Sequence, residues 1–308
     1  APTTTVAPTT TAAPTTTAAL ATTTTMTAPA TGPGLVAFTR FDPMFSSAEI
    51  FMMNGDGTGL RQLTDINDTV VAEFFHPECL FSDQKCPFSG IFEANTLPVW
   101  SPDGDQIAFV QWVASSTGSE GEVLSVMNAD GSDYRPLWGG WLDNAYPSWS
   151  SDGRQIAIPK KSGGILLANA DGSGVQSILE DYRQILQSVS WSPDGTQIAF
   201  LGVDDAVGGW GLHVASSDGS SVRLLREGWG ASPAWSPDGK YIAYSSDSTI
   251  LSVSVEGADV RRLTDRVSLG DWDNEPPSWS PDGLEIAFTR NGPGGALLIN
   301  VVSADGAS

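Results

Sequence analysis

Three groups of side chains in this chain are of types that bind or react. Acidic residues recur in short turns, with Asp103, Asp152, Asp194, Asp238 and Asp282 in one series and Asp56, Asp130, Asp171, Asp218 and Asp305 in another. Asn54-Gly55-Asp56-Gly57-Thr58-Gly59 faintly resembles a calcium loop but lacks the glutamate that completes one at its twelfth position. A hairpin turn explains the same residues. His76, Cys79 and Cys86 lie in one stretch, yet their spacing fits no zinc pattern and no fourth ligand is evident. In an exported chain Cys79 and Cys86 are expected to form a disulfide. No metal or cofactor is therefore expected. A third group is aromatic: Trp138, Trp141, Tyr182, Trp229 and Trp272. The chain has 2 histidines, His76 and His213, and neither lies in a recognisable arrangement with a nucleophile and an aspartate. Catalysis is not expected.

The elements that must carry these groups come from a repeat. Trp-Ser-Pro-Asp-Gly, followed two residues later by Ile-Ala-Phe, recurs with small changes from Trp100, Trp149, Trp191, Trp235 and Trp279. Such a period marks one supersecondary unit stacked on its neighbours. Proline presets φ, aspartate tolerates the next position and glycine accepts positive φ, so the motif is a tight hairpin turn. The strand after it is apolar on both faces, as in Ile198-Ala199-Phe200, and so belongs between two sheets. A second hairpin and a short fourth strand, such as Leu60-Arg61-Gln62-Leu63-Thr64, follow in most units. Four strands per unit make a propeller blade.

These residues resemble the TolB-type (WD40-like) β-propeller repeat, found also in the propellers of the prolyl oligopeptidase and tricorn protease families. The resemblance runs over roughly residues 34–308 and implies an all-β, six-bladed β-propeller. The peptidases carry their nucleophile on a separate α/β-hydrolase domain with a Gly-x-Ser-x-Gly elbow, and no such elbow occurs here. In a propeller the connections from each outer strand to the next inner strand gather on one face, together with the loops between strands two and three. The five aromatics are expected in those connections, where they bind a peptide or a sugar or cap the blade edges. The repeat tryptophans need no such role, since burial between blades accounts for them.

Residues 1–33 form a Thr/Pro/Ala-rich low-complexity extension before the propeller at 34–308, which carries an insertion at about 66–97. Residues 1–34 contain 15 Thr, 9 Ala, 5 Pro and no charge. Such tracts are typical of O-glycosylated stalks, which makes Thr3, Thr4, Thr5, Thr9, Thr10, Thr11, Thr15, Thr16 and Thr17 candidate acceptors. Asn67-Asp68-Thr69 is an N-glycosylation sequon. The run near 20–27, including Thr22, Thr23, Thr24, Thr25, Met26 and Thr27, has the β-branched character of a strand. It is needed, because the first blade lacks strand one and the last lacks strand four, and open edges invite pairing. Two routes are open: the run folds back onto its own last blade, or it enters a blade of a neighbouring copy.

A net charge of -21 repels a phosphate backbone and excludes nucleic acid as a partner. The longest apolar runs are too short to span a bilayer. An extracellular, cell-surface or periplasmic protein is expected. The first functional expectation is a non-catalytic structural subunit that joins copies of itself, as a filament, through the Thr-rich strand. A monomeric TolB-like envelope propeller that docks another envelope or surface protein is the alternative, and a glycan-binding propeller the second. TolB's accessory amino-terminal domain is replaced here by the low-complexity tail, which tilts the expectation towards assembly.

Overall fold

The computed structural model describes residues 26–27, 34–42, 47–65, 90–115, 120–140, 142, 145–182, 184–204, 209–265, 276–291 and 297–306. The described secondary structure consists of strands and turns and builds a six-bladed β-propeller. Blade one is β1 (Met26–Thr27), β2 (Leu35–Asp42), β3 (Ser47–Asn54) and β4 (Arg61–Gln62). Blade two is β5 (Gly90–Trp100), β6 (Gln106–Ser115), β7 (Glu120–Asn128) and β8 (Arg135–Gly140). Blade three is β9 (Ser148–Trp149), β10 (Gln155–Pro159), β11 (Ile165–Asn169) and β12 (Gln176–Ile178). Blade four is β13 (Ile185–Trp191), β14 (Gln197–Asp204), β15 (Gly209–Ser216) and β16 (Val222–Glu227). Blade five is β17 (Ala231–Trp235), β18 (Tyr241–Ser246), β19 (Thr249–Ser254) and β20 (Val260–Arg262). Blade six has three described strands, β21 (Ser278–Trp279), β22 (Glu285–Asn291) and β23 (Leu297–Ser303).

Each blade is an antiparallel meander; among the described residues, parallel pairings also tie blade one to blade two at Ala48↔Ala94 and join Tyr146 to Ser188. The turn motif explains the meander at atomic level. In blade four the Ser192 hydroxyl donates to Asp194 Oδ1 (2.6 Å), the Thr196 amide donates to the same oxygen (3.0 Å), and the Gln197 amide donates to Ser192 Oγ (2.9 Å). Gly195 closes the turn at a φ of 70°, a conformation in which a Cβ is strained. The same pattern recurs at Asp103, Asp152, Asp238 and Asp282.

The core is divided into clusters between successive blades. One such cluster joins Ala199, Leu201, Leu212 and Val214 of blade four to Trp235, Ile242 and Tyr244 of blade five. The repeat tryptophan adds a directional link. The indole of Trp149 donates to the Val99 carbonyl (3.0 Å), that of Trp191 to Ser148 (3.2 Å) and that of Trp279 to Ala234 (3.0 Å). The acceptor is always the residue just before the preceding blade's tryptophan, so each indole bonds its blade to the one before. Trp100 and Trp235 are buried too, but their Nε1 atoms have no hydrogen-bond partner among the described residues. Blade five instead uses the Trp235 amide, which donates to Ser190 Oγ (3.1 Å).

Met26–Thr27 lies inside this scheme. It pairs β2 through Met26↔Ala37 and Thr27↔Val36, the register that Ser148↔Ala157 and Trp149↔Ile156 have in blade three. Thr27 thus stands where the other blades have tryptophan. These two residues pair with the first blade, not with the last. Residues 1–25, with Thr22, Thr23, Thr24, Thr25 and the candidate glycosylation sites, lie outside the described residues. So do residues 66–89, with Asn67, His76, Cys79 and Cys86.

Candidate functional site

Tyr146 and Pro147 before β9, Pro233 in β17, and Pro276 and Pro277 before β21 line a cavity of about 320 Å³ between the inner strands. The residues before the five repeat tryptophans, Val99, Ser148, Ser190, Ala234 and Ser278, line it too, as do Pro193 and Pro237 of the turns. Small side chains stand there because the inner strands converge on the axis. The lining is mostly apolar with scattered hydroxyls.

On the face that carries the connections between blades, Trp210 and Trp229 meet edge to face, with ring centroids 4.6 Å apart and planes at 75°. Trp210 opens β15, just after the loop between strands two and three, and Trp229 lies in the connection from β16 to β17. The Gly228 amide donates to the Trp210 carbonyl (2.9 Å), and the Ser246 hydroxyl donates to the Trp229 carbonyl (2.6 Å). These bonds fix the connection while leaving Trp229 54% exposed. Glu227 and Leu224 share the cavity beside the pair. A large apolar side chain held in place yet open to water suits a contact with another macromolecule.

The other expected aromatics are placed differently. Trp138 is in β8 itself rather than in the connection, half-buried against the core between blades two and three. Its ring lies over Gly140, where a Cβ would come within 2.1 Å of it. Tyr182 is in the connection, but its ring packs edge-on against Phe200 (5.1 Å) and His213 (5.2 Å). Trp141 and Trp272 lie outside the described residues. His213 is buried, stacked on Phe200, with Nδ1 2.8 Å from the Gly211 carbonyl. Trp210 was not among the expected residues; its position after a strand two–three loop is the signal that points to it.

The opposite face carries the turn aspartates, whose carboxylates are already engaged by their own turns. The Ser192 hydroxyl first, then the Thr196 amide, hold Asp194 below the usual carboxylate range. At Asp218 the Ser220 amide and the Ser216 hydroxyl lower the value to about 2. Asp56 accepts from both the amide and the hydroxyl of Thr58, at 2.9 and 2.7 Å, and its carboxyl is likewise lowered. Among the described residues no group of three or more His, Cys, Asp and Glu side chains could hold a metal ion. The buried Glu122 accepts the Leu142 amide (2.7 Å), which gives that carboxylate a structural role. No described helix is long and apolar enough to cross a membrane.

Comparison with known proteins agrees with this geometry. Residues 158–308 match the family model described as the TolB beta propeller domain. A protein of Agrobacterium fabrum, Atu1656, is 30% identical over 200 residues, which cover 60% of this chain and 62% of that one. Among solved structures, TolB from Acinetobacter baumannii superposes with a TM-score of 0.64 at 20% identity, over 89% of this chain and 63% of that one. The chain thus spans less than two thirds of the length of either relative. An oligogalacturonate lyase in complex with manganese shares the fold at a TM-score of 0.53 and 13% identity, over 92% of this chain and 96% of that one. The fold therefore houses enzymes as well as binding proteins. Residues 158–308 thus match the TolB beta propeller domain, and the repeats before them follow the same pattern.

Proposed function

We propose that this chain is a non-catalytic, exported propeller that docks a protein partner on the face formed by the axial cavity mouth and the Trp210–Trp229 pair. The observation that carries this reading is the exposed Trp229, held by backbone hydrogen bonds against Trp210. Tryptophans of this kind supply most of the affinity in protein interfaces. The Thr/Pro-rich tail supports export, and the strong acidity supports a partner with a basic or neutral contact surface. The perpendicular rings form a notch for a side chain more than a flat platform for a sugar, which ranks glycan binding behind. Assembly into a filament through a donated strand is ranked behind as well, because its support is the composition of the Thr-rich segment alone.

The test is a photo-crosslinking amino acid placed at position 229 and, separately, at position 171 on the opposite face, in cells of the source organism. A single foreign polypeptide crosslinked from 229 and not from 171 is the expected result. Crosslinks only to further copies of this chain, or equal labelling from both positions, would overturn the docking reading.

A further inference from the structure

The cavity beside the Trp210–Trp229 pair carries a sign of charge, and a bulge sets it. β15 and β16 pair through Val214↔Arg223 and His213↔Leu224, then shift register, so that Leu212 opposes Arg226 and Gly211 opposes Glu227. Leu225 is the extra residue. In an unbroken strand Leu224 and Arg226 would share one face; the bulge re-aims every side chain beyond it. Glu227 therefore joins His213 and Leu224 on the side of the cavity. Arg226 is carried to the other side, where it lies against the Tyr244 hydroxyl.

The remaining residues leave the middle of the cavity open. Gly209 and Gly211 put no side chain into it, and a Cβ at Gly211 would overlap Leu224 and come within 3.3 Å of His213. Gly228, at a φ of 123°, turns the chain so that Trp229 comes back against Trp210. The result is a cavity of about 400 Å³ with two indole rings and one carboxylate on its wall and no lysine or arginine. Blade five shows what such a set holds. There Arg261 Cζ lies 4.3 Å from the centre of the Tyr241 ring, and the same guanidinium donates to Asp259 Oδ2 at 2.9 Å. Ring, carboxylate and cation all come from one blade in that case, whereas the blade-four cavity has rings and carboxylate but no cation among its lining residues.

We infer that the notch formed by Trp210, Trp229 and Glu227 receives a basic side chain, lysine or arginine, of the docked protein partner. An indole face is the best aromatic acceptor for a cation, and the attraction grows as water is excluded, which the second ring does here. Glu227 supplies the counter-charge, and the net charge of -21 draws a basic segment towards the chain. This occupant rests on the docking reading above and adds to it the chemistry of the side chain received.

The test follows the indole Nε1–H resonances of Trp210 and Trp229 by NMR in the full chain while capped Gly-Arg-Gly, Gly-Lys-Gly and Gly-citrulline-Gly peptides are added. Citrulline keeps the shape of arginine without its charge. The arginine and lysine peptides should move both resonances, and the citrulline peptide should bind roughly fivefold more weakly or less. Glu227→Gln, an exposed substitution, should weaken the arginine peptide by a similar factor, and Trp229→Ala should abolish the response at Trp210. Equal binding of the arginine and citrulline peptides, or no movement of either resonance with any of the three, would overturn the inference. Tetramethylammonium bound more tightly than either basic peptide would assign the notch to a small quaternary ammonium ligand, and would overturn a partner side chain as the occupant. Crosslinking from position 229 judges docking separately. A foreign polypeptide captured there, with arginine and citrulline peptides bound alike, would leave docking standing and remove the basic side chain; a peptide response with no polypeptide captured would remove the partner as its source.

Discussion

The contact between blades three and four and the seam between blades six and one are made from the same repeat, yet only the first is complete. At the former, Trp191 bonds the Ser148 carbonyl, and Ala157, Ile165 and Leu167 pack against Ile198 and Phe200. At the seam, Thr27 takes the tryptophan position, Ile299 and Val301 are exposed, and no shared core cluster links the two blades among the described residues. The difference shows which parts of the repeat make a blade and which join blades. Turn, meander and register survive at the seam, whereas the indole link and the apolar cover are lost together.

The largest expected effect is at a complete interface. Trp149→Ala removes a buried ring and its hydrogen bond, and should cost about 3–5 kcal/mol in denaturant unfolding. A loss below about 1 kcal/mol would mean that the tryptophans do not hold the blades together. Next comes a matched pair. Ile250→Ala should cost about 2–5 kcal/mol. Ile299→Ala, at the matching but exposed position, should cost under about 1 kcal/mol by thermal or denaturant melts. Equal costs at the two positions would break the comparison.

A smaller contrast lies in the glycines. Gly219→Ala meets Ile178 at 2.9 Å and forces a positive φ, so it should destabilise by more than the ~1 kcal/mol of backbone strain alone. Gly57→Ala, whose Cβ meets nothing within 4 Å among the described residues, should cost only that strain, since its φ of 82° is similar. The smallest effect is electrostatic. Carboxyls such as Asp194 and Asp218 titrate below the ordinary 3.8 when folded, so they favour the folded state above that value. Their contribution is lost as pH falls through the lowered values, towards about 2 for Asp218. Stability should therefore decline from about pH 4 downwards. Ser192→Ala removes the strongest hydrogen bond to Asp194 and should raise its titration midpoint in an NMR pH series. An unchanged midpoint would contradict the turn's role.

Most of the fold could be read from the sequence because its determinants are local. Each Trp-Ser-Pro-Asp-Gly carries its own turn, and each Ile-Ala-Phe its own burial. The count of strands also exposed the two unpaired edges. The place of the Thr-rich segment was not legible, since a run of identical residues carries no alternation to fix register; only the pairing with Ala37 and Val36 supplies it. Trp138 was expected in a connection, next to Gly139 and Gly140. In the structure both are buried in β8, where Gly140 leaves room for the ring. Trp210 escaped notice because its partner Trp229 lies 19 positions on in the sequence and meets it only through the pairing of β15 with β16.

The central claim is that contact between blades, and not the meander within each one, makes the core. Amide hydrogen exchange across β19 and β23 tests it most directly. The β19 amides, between β18 and β20 in a blade packed on both faces, should exchange slowly, while the β23 amides should exchange faster. Equal protection of the two strands would contradict the account.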